Sequence, residues 1–218
     1  MRKINYDKNP STLVKGFEQE IDRGYAKIAE TLGKQFKPGK TVVTVDCSDG
    51  VLVDEIVDGL KPLKFDLIVK SASIFISPEA MNEKVYRYLT DDRVFAIAYT
   101  GKWLDFVDQK ALETARKIVN DTTGKILVIG VGAGYIHQGD IQILADMTVW
   151  ELQMRYRKDG IANFNANNAH DEMGKKFKRG YFLDWRLANQ RKSEVLKTFH
   201  YYLDTVAKND PRMITKEA

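Results

Sequence analysis

Two acids and a glycine follow the first strongly apolar run of the sequence. The run 41–45 is β-branched, and the stretch 46–50 joins it to a segment with helical spacing. A strand that turns into a helix is a common place for a phosphate-binding loop, because free backbone amides at the helix start attract an anion. The candidate ligand-binding residues of this loop are Asp46, Ser48, Asp49 and Gly50.

The same loop lacks the residues that a working phosphate loop needs. In the pattern G-x-x-x-x-G-K-[ST], the lysine contacts the terminal phosphates and the hydroxyl holds magnesium. Gly50 can stand for the second glycine, but Val45 takes the place of the first. Val51 and Leu52 replace the lysine and the hydroxyl. The acids nearby would repel an anion and could instead hold a cation or a sugar hydroxyl, and an ordinary Asx/Gly turn explains the loop equally well.

A second candidate loop is rich in glycine. Gly130, Gly132, Gly134 and Gly139 crowd the end of the apolar run 125–131. Glycine lets a backbone approach a ligand closely, which makes Gly132 and Gly134 candidate binding residues. No helix opens directly after the cluster, as a dinucleotide fingerprint requires, so a plain flexible turn is the competing interpretation.

Positive charge is concentrated late in the chain. Residues 155–192 hold ten Lys/Arg and four Asp/Glu, a local charge of +6, whereas the remainder holds 24 basic and 26 acidic residues. We interpret residues 158–183 as a mobile basic lid that closes over phosphates, with a solvated helix face as the alternative. The candidates here are Arg155, Arg157, Lys176, Arg179, Asp184 and Arg186, with Asp184 orienting an arginine.

Several function classes are disfavoured by composition. His137, His170 and His200 lack the spacing of metal ligands, so no metal site is expected. The lone Cys47 cannot form an internal disulfide, and the expected setting is cytoplasmic. Apolar runs stay far below the roughly 20 residues that a membrane span needs. Because the basicity is local and its interleaving with aromatic residues is thin, a phosphorylated small molecule is favoured over nucleic acid.

The elements that must position these residues alternate along the chain. We predict strands at 41–45, within 65–76, and at 93–98, 125–131 and 141–147, with helices between them. We also predict a first helix from Ser11 and a long last helix that runs from 185 to about 206. The pattern favours an α/β fold, a three-layer parallel sheet of about five strands flanked by helices. In such sheets ligands bind beyond the carboxyl ends of the strands.

Four motifs carry a resemblance to known proteins: NYDKNP, VDCSDG, DMTVWELQMRYR and RGYFLDWR. In the order of its parts, the chain resembles the uridine-kinase-like branch of P-loop phosphotransferases over about residues 40–207. Over nearly its whole length it resembles the kinase-like region that precedes the cupin domain in long bacterial class I mannose-6-phosphate isomerases. The chain departs from the kinases at Val51 and at 71–73, which stand where a uridine kinase has its Walker lysine and catalytic aspartate.

The resemblance implies a P-loop nucleoside-kinase-like domain with a basic lid at 40–207, a helical extension at 1–39 and a tail or linker at 208–218. It implies a degenerate domain that binds a nucleotide, with or without magnesium, or a sugar phosphate. It also implies a cupin isomerase domain as partner and a place in carbohydrate metabolism. Two alternatives stay open: an active small-molecule kinase with a non-standard phosphate loop, and a structural or dimerising module, for instance in a homodimer. No catalytic residue is assigned.

Overall fold

One sheet of seven strands organises the chain in the computed structural model, which describes residues 11–158 and 160–218. The strands are β1 (Asp22–Arg23), β2 (Lys40–Cys47), β3 (Leu67–Lys70), β4 (Gly124–Gly130), β5 (Ile141–Asp146), β6 (Tyr201–Asp204) and β7 (Arg212–Thr215). Their order across the sheet is β1-β7-β6-β5-β2-β4-β3. The strands from β6 to β3 are parallel, and β7 pairs antiparallel with both β6 and β1. The predicted α/β class is therefore confirmed, with seven strands rather than about five.

Helices cover both faces of the sheet. They are α1 (Gly24–Gly33), α2 (Val53–Gly59), α3 (Pro78–Leu89), α4 (Gln109–Asp121), α5 (Ala133–Ile136), α6 (Val149–Lys158), α7 (Met173–Arg179) and α8 (Trp185–Val195). A π-helical turn, Gly180–Asp184, joins α7 to α8. Alternate residues of β2 face opposite cores, since Val43 packs with Leu32 in one cluster and Val42 packs with Trp103 in the other. The three predicted layers follow from this two-sided burial.

The central position of β2 decides where a ligand can bind. β2 pairs with β4 on one side and with β5 on the other, and its residues from Thr41 to Cys47 are all buried. The chain after β2 builds one side of the sheet before β5 begins the other, so the strand order reverses at β2. In open α/β sheets such a reversal opens a crevice at the carboxyl ends of the strands.

Local sequence signals explain several helix starts. The Ser77 hydroxyl accepts a hydrogen bond from the Ala80 amide, and Pro78 takes the first helical position, as predicted. The Thr148 hydroxyl likewise accepts from the Glu151 amide at the start of α6. Among the described residues, no helix is both long and apolar enough to cross a membrane.

The structure differs from the predicted elements near both ends of the chain. The first helix begins at Gly24 rather than at Ser11, after a short turn at Glu18–Glu20. The last long helix ends at Val195, because residues 201–204 pair with β5 as strand β6. The tail was predicted to have no core face, yet it contributes β7, in which Met213 is buried. The motif at 5–10 lies outside the described residues, and the domain division at 39 and 207 stays a prediction.

Two predicted strands in the first half are also different. The apolar stretch 65–76 forms only the short strand β3, and Ser71–Ile74 turns into a 3-10 helix. The stretch 93–98 pairs with no strand of the described sheet and lies at the surface. Its β-branched and aromatic residues favour an extended backbone, but β3 and β4 pair directly with each other and leave no place for it between them.

Candidate functional site

A cavity of about 290 Å³ opens at the carboxyl ends of β2 and β5, below one face of α8. The sequence places this face by helical spacing, because Trp185, Asn189 and Lys192 are four and three residues apart. The polar side chains that line the cavity belong to Ser48, Asp49, Asp146, Thr148, Arg186, Asn189 and Lys192. Of the predicted site residues, Ser48, Asp49 and Arg186 therefore share one cavity.

The predicted phosphate loop is filled by the protein itself. Gly50 has a φ of 80°, and a Cβ at this position would collide with the Leu152 side chain of α6. The Gly50 carbonyl accepts a hydrogen bond from Arg155 Nη1 at 3.0 Å. The helix that follows, α2, has seven residues and no side-chain cap. The loop thus keeps the path of a strand-turn-helix junction, but the Leu152 side chain packs directly against Gly50.

Arg155 does not face a ligand cavity. It is fully buried, and besides Gly50 it donates to Glu151 Oε1 at 3.0 Å and to the Thr205 carbonyl. These bonds tie α6 to the loop after β2 and to the chain after β6. The prediction that Arg155 grips an anion from a lid is therefore wrong in its geometry, because its nitrogens are already paired within the fold.

Asp46 and the glycine-rich loop contact each other directly. The Asp46 carboxylate accepts from the amides of Gly132 at 3.1 Å and Gly134 at 3.0 Å. It also accepts from Arg191 Nη2 at 2.5 Å and Nε at 3.1 Å. The guanidinium of Arg191 lies 4.3 Å from the ring centre of Tyr135. The strand ends bring the predicted residues together as expected, but Asp46 occupies the amides that were predicted to meet a ligand.

A buried network links Asp49 to Asp184. The Tyr156 hydroxyl donates to Asp49 Oδ2 at 2.9 Å, and Asn163 Nδ2 lies 2.8 Å from Asp184 Oδ2 and 3.2 Å from the Tyr156 oxygen. Arg179 Nε is 3.5 Å from Asp184 Oδ2. Asp184 thus lies beside an arginine, as predicted, although it is buried behind the cavity rather than lining it.

The environment of these two acids favours their protonated forms. Burial raises the pKa of Asp49, although the Tyr156 bond and the Arg179 charge act in the opposite direction. Burial also raises the pKa of Asp184, and the nearby Asp49 adds to that increase. Burial raises the pKa of Tyr156 as well, so its hydroxyl stays a donor.

Other cations of the predicted lid also have partners inside the protein. Lys176 Nζ donates to the carbonyls of Tyr156, Ile161 and Ala169 at 3.1, 2.9 and 2.9 Å. Arg179 donates to Asn82 Oδ1 at 2.7 Å and to the Phe164 carbonyl at 3.1 Å.

Two of the five named basic candidates, Arg157 and Arg186, face solvent or the cavity. The exposed Arg157 lies 5.0 Å from the ring centre of Phe177. Arg186 is the one predicted basic candidate that lines the cavity, and its Nε lies 3.2 Å from the Tyr99 carbonyl. Because Lys176 and Arg179 are buried and paired, the lid is a packed part of the fold.

Asp146 and Lys192 were missed by the sequence reasoning. Lys192 Nζ forms an ion pair with Asp146 Oδ2, to which the Tyr202 hydroxyl also donates at 3.1 Å. Asp146 is the last residue of β5, and its position at a strand end could have identified it as a candidate. Lys192 was counted only as part of the basic segment. Its cavity-facing position depends on α8 lying over β5, which cannot be read from local spacing.

The arrangement suits a small anion that also carries hydroxyl groups. Arg186 and Lys192 supply positive charge, Asn189 and Thr148 supply neutral hydrogen-bonding groups, and Trp185 supplies an aromatic wall. Within residues 11–158 and 160–218, no group of three or more His, Cys, Asp or Glu side chains is arranged to hold a metal ion.

Comparison with known proteins gives a family and a distant structural likeness. The sequence profile of a family described as a domain of unknown function (DUF8485) matches residues 24–218. No curated protein matches the sequence. A solved structure of a candidate fructose transport system kinase from Silicibacter sp. TM1040 superimposes with a TM-score of 0.47 at 9% identity, covering 78% of this chain and 94% of that one. The family description states no activity and the structural likeness is distant, so the residues of the cavity are the basis for a proposed function.

Proposed function

The chain belongs to the DUF8485 family, and we propose that it binds a phosphorylated small molecule in the cavity at the ends of β2 and β5. One observation carries the proposal: α8 holds two cations, Arg186 and Lys192, over the crevice where open α/β sheets bind their ligands. The ligand class is a nucleotide or a sugar phosphate.

The phosphate end of the ligand is assigned to the cations. The Arg186 guanidinium is planar and can hold two phosphate oxygens at once, whereas the Lys192 ammonium acts as a point charge. The Lys192 side chain is 36% exposed, so it can reach a ligand while its ion pair with Asp146 limits its orientations. A preoriented cation loses less conformational freedom when the ligand binds.

The rest of the ligand is assigned to the polar and aromatic walls. Hydroxyl groups of a ribose or a hexose can donate to Asp49 or exchange hydrogen bonds with Ser48 and Thr148. The Trp185 ring offers an apolar face to a nucleobase or to the carbon side of a sugar. Lys192 forms an ion pair with Asp146 and so offsets the charge of that acid in the cavity.

Binding is proposed without phosphoryl transfer. Val51 stands where a phosphate loop has its lysine, and Leu152 fills the space beside Gly50. An active kinase would need a replacement cation beside Gly50, yet Arg155, which bonds to the Gly50 carbonyl, is committed to internal partners. The degenerate form therefore has more support than the active one. The association with a sugar-phosphate isomerase rests on the motif resemblance alone, and it makes hexose phosphates early ligands to screen.

A thermal-shift screen tests the proposal. Nucleotides, hexose phosphates and matched compounds without a phosphate are added with and without magnesium, because a ligand that binds only the folded state raises the melting temperature by mass action. We expect a shift with a phosphorylated compound and none with its unphosphorylated partner. A screen in which no phosphorylated compound shifts the melting temperature contradicts the proposal. Magnesium-dependent ATP turnover by the same pure protein would favour the kinase instead.

A further inference from the structure

The cavity below α8 contains a buried acceptor that the protein leaves largely free. Asp49 lines this cavity and is only 5% exposed. Tyr156, whose hydroxyl lies 2.9 Å from Asp49 Oδ2, is the only side chain among the described residues that donates to it. A carboxylate has about four lone-pair sites, and a buried acceptor that lacks donors is unfavourable. The position therefore suits a ligand that brings a donor of its own.

The packing behind Asp49 fixes the direction of its carboxylate. Tyr156 is fully buried, and Asn163 Nδ2 lies 3.2 Å from the Tyr156 oxygen. The Tyr156 oxygen accepts from Asn163, and its hydrogen is directed to Asp49 Oδ2. Because Oδ2 is held on the buried side, Oδ1 is the oxygen that remains for a ligand in the cavity.

The charges of the cavity suit one phosphate group and not several. Its lining contains two basic and two acidic side chains, whose formal charges cancel: Arg186, Lys192, Asp49 and Asp146. Lys192 is already paired with Asp146, whereas Arg186 forms no ion pair within residues 11–158 and 160–218. A second phosphate group would add negative charge without another cation, and an unpaired charge removed from water is unfavourable.

The size and the neutral walls of the cavity favour a compact ligand with hydroxyl groups. A volume of about 290 Å³ lies at the lower limit of small-molecule sites, which span roughly 300–1,000 Å³. Ser48, Thr148 and Asn189 can exchange hydrogen bonds with hydroxyl groups, and the Trp185 ring can cover a carbon face. A nucleoside would have to place a nucleobase as well as its sugar in the same volume.

We propose that the cavity takes the monophosphate of a compact polyhydroxy compound, with its phosphate between Arg186 and Lys192 and a hydroxyl group that donates to Asp49. The inference rests on the proposed function and narrows its ligand class. It excludes di- and triphosphates as preferred ligands, and it makes Asp49 the residue that distinguishes a hydroxylated ligand from other phosphate esters.

Three matched pairs of compounds test the inference by calorimetric titration of the full chain. Ribose-5-phosphate against AMP tests the nucleobase, and glucose-6-phosphate against glucose-1,6-bisphosphate tests the second phosphate. Glucose-6-phosphate against cyclohexylmethyl phosphate tests the hydroxyl groups, because the latter keeps the phosphate and a six-membered ring. We expect the first compound of each pair to bind more tightly. In the last pair the difference should be roughly tenfold or more, since the hydroxyl-free compound leaves a buried acceptor unpaired.

Asp49→Asn tests the acceptor itself. Loss of the charge weakens the hydrogen bond from a ligand hydroxyl, because charge-assisted bonds are roughly twice as strong as neutral ones. The preference for glucose-6-phosphate over cyclohexylmethyl phosphate should therefore fall several-fold. Both compounds carry a phosphate, so this ratio cancels any change in repulsion. The control Glu113→Gln removes a carboxylate that is exposed on α4 and should leave the ratio unchanged.

The outcomes separate this inference from the proposed function. Tighter binding of AMP, of the bisphosphate or of the hydroxyl-free compound than of its partner would overturn the inference and leave a phosphate site in place. A preference that Asp49→Asn does not reduce in folded protein would overturn the role of Asp49. If none of these compounds and no other phosphorylated compound binds, the proposed function itself is wrong.

Discussion

Arg191 and Asp46 form an ion pair at the carboxyl end of β2, with Arg191 Nη2 2.5 Å from Asp46 Oδ2. The pair joins α8 to the end of β2, and two amides of the glycine-rich loop close on the same carboxylate. Asp46, which the sequence suggested as a ligand contact, is thus part of the support that fixes α8 over the cavity.

Asp46→Asn is expected to destabilise the protein strongly. Removing one partner of a buried ion pair leaves an uncompensated charge and typically costs about 3–5 kcal/mol. Glu194, 2.8 Å from Arg191 Nη1, would compensate for part of this loss. Urea unfolding of the variant and the wild type measures the difference. If the variant keeps its stability and loses only ligand binding, Asp46 contacts the ligand and does not support the fold.

The Asp49–Asp184 network predicts a pH-dependent stability. The pKa of Asp49 is raised to about 6 and that of Asp184 to about 7, so the folded state holds more protons than the unfolded state between about pH 4 and pH 7. Their contribution to the free energy of unfolding is therefore present at the acidic end of this window and is lost as the pH rises.

Asp184→Asn isolates this contribution from the other titrating groups. The amide cannot ionise, so the difference in unfolding free energy between the variant and the wild type should change from pH 5 to pH 7.5, in favour of the variant at higher pH. Denaturant titrations at both pH values give this difference. If it is the same at both, Asp184 does not take up a proton in the folded state.

Gly50→Ala tests whether Leu152 packs against Gly50 in the predicted phosphate loop. The residue has a left-handed φ of 80°, and an added Cβ would meet Leu152. Backbone strain and overpacking each cost on the order of 1–3 kcal/mol. Leu152→Ala in the same chain should make the glycine substitution less costly, because it removes the obstructing methyl groups. Equal costs of Gly50→Ala with and without Leu152 would contradict the filled loop.

Sequence patterns identified the sheet because apolar strands alternate with amphipathic helices from β2 to β5. They failed at β6, where Val195, Phe199 and Leu203 keep a helical spacing that continues beyond the true end of α8. The exposed edge of β5 outweighed that local preference, since Leu203 pairs there with Ala145. Such an outcome depends on a contact between distant segments.

The structure brings only some of the predicted site residues together, and their role in binding stays a prediction. The strand ends gather Asp46 with the glycine-rich loop, as expected, whereas Ser48 lines the cavity below α8. The lid arginines were misplaced because their partners are far away in sequence, as the bond between Arg155 and Gly50 shows. Clustered positive charge does not reveal whether each cation faces solvent or a buried carbonyl group.

Calorimetric titration of cavity variants tests the central proposal most directly. The phosphorylated compound with the largest thermal shift is titrated into wild type, Arg186→Ala, Lys192→Ala and the control Lys117→Ala, whose lysine is exposed on α4. Losing a hydrogen bond to a charged group should weaken binding by roughly 1.5–3 kcal/mol in each cavity variant, with no change in the control. Unaltered affinity in both folded cavity variants would contradict the account.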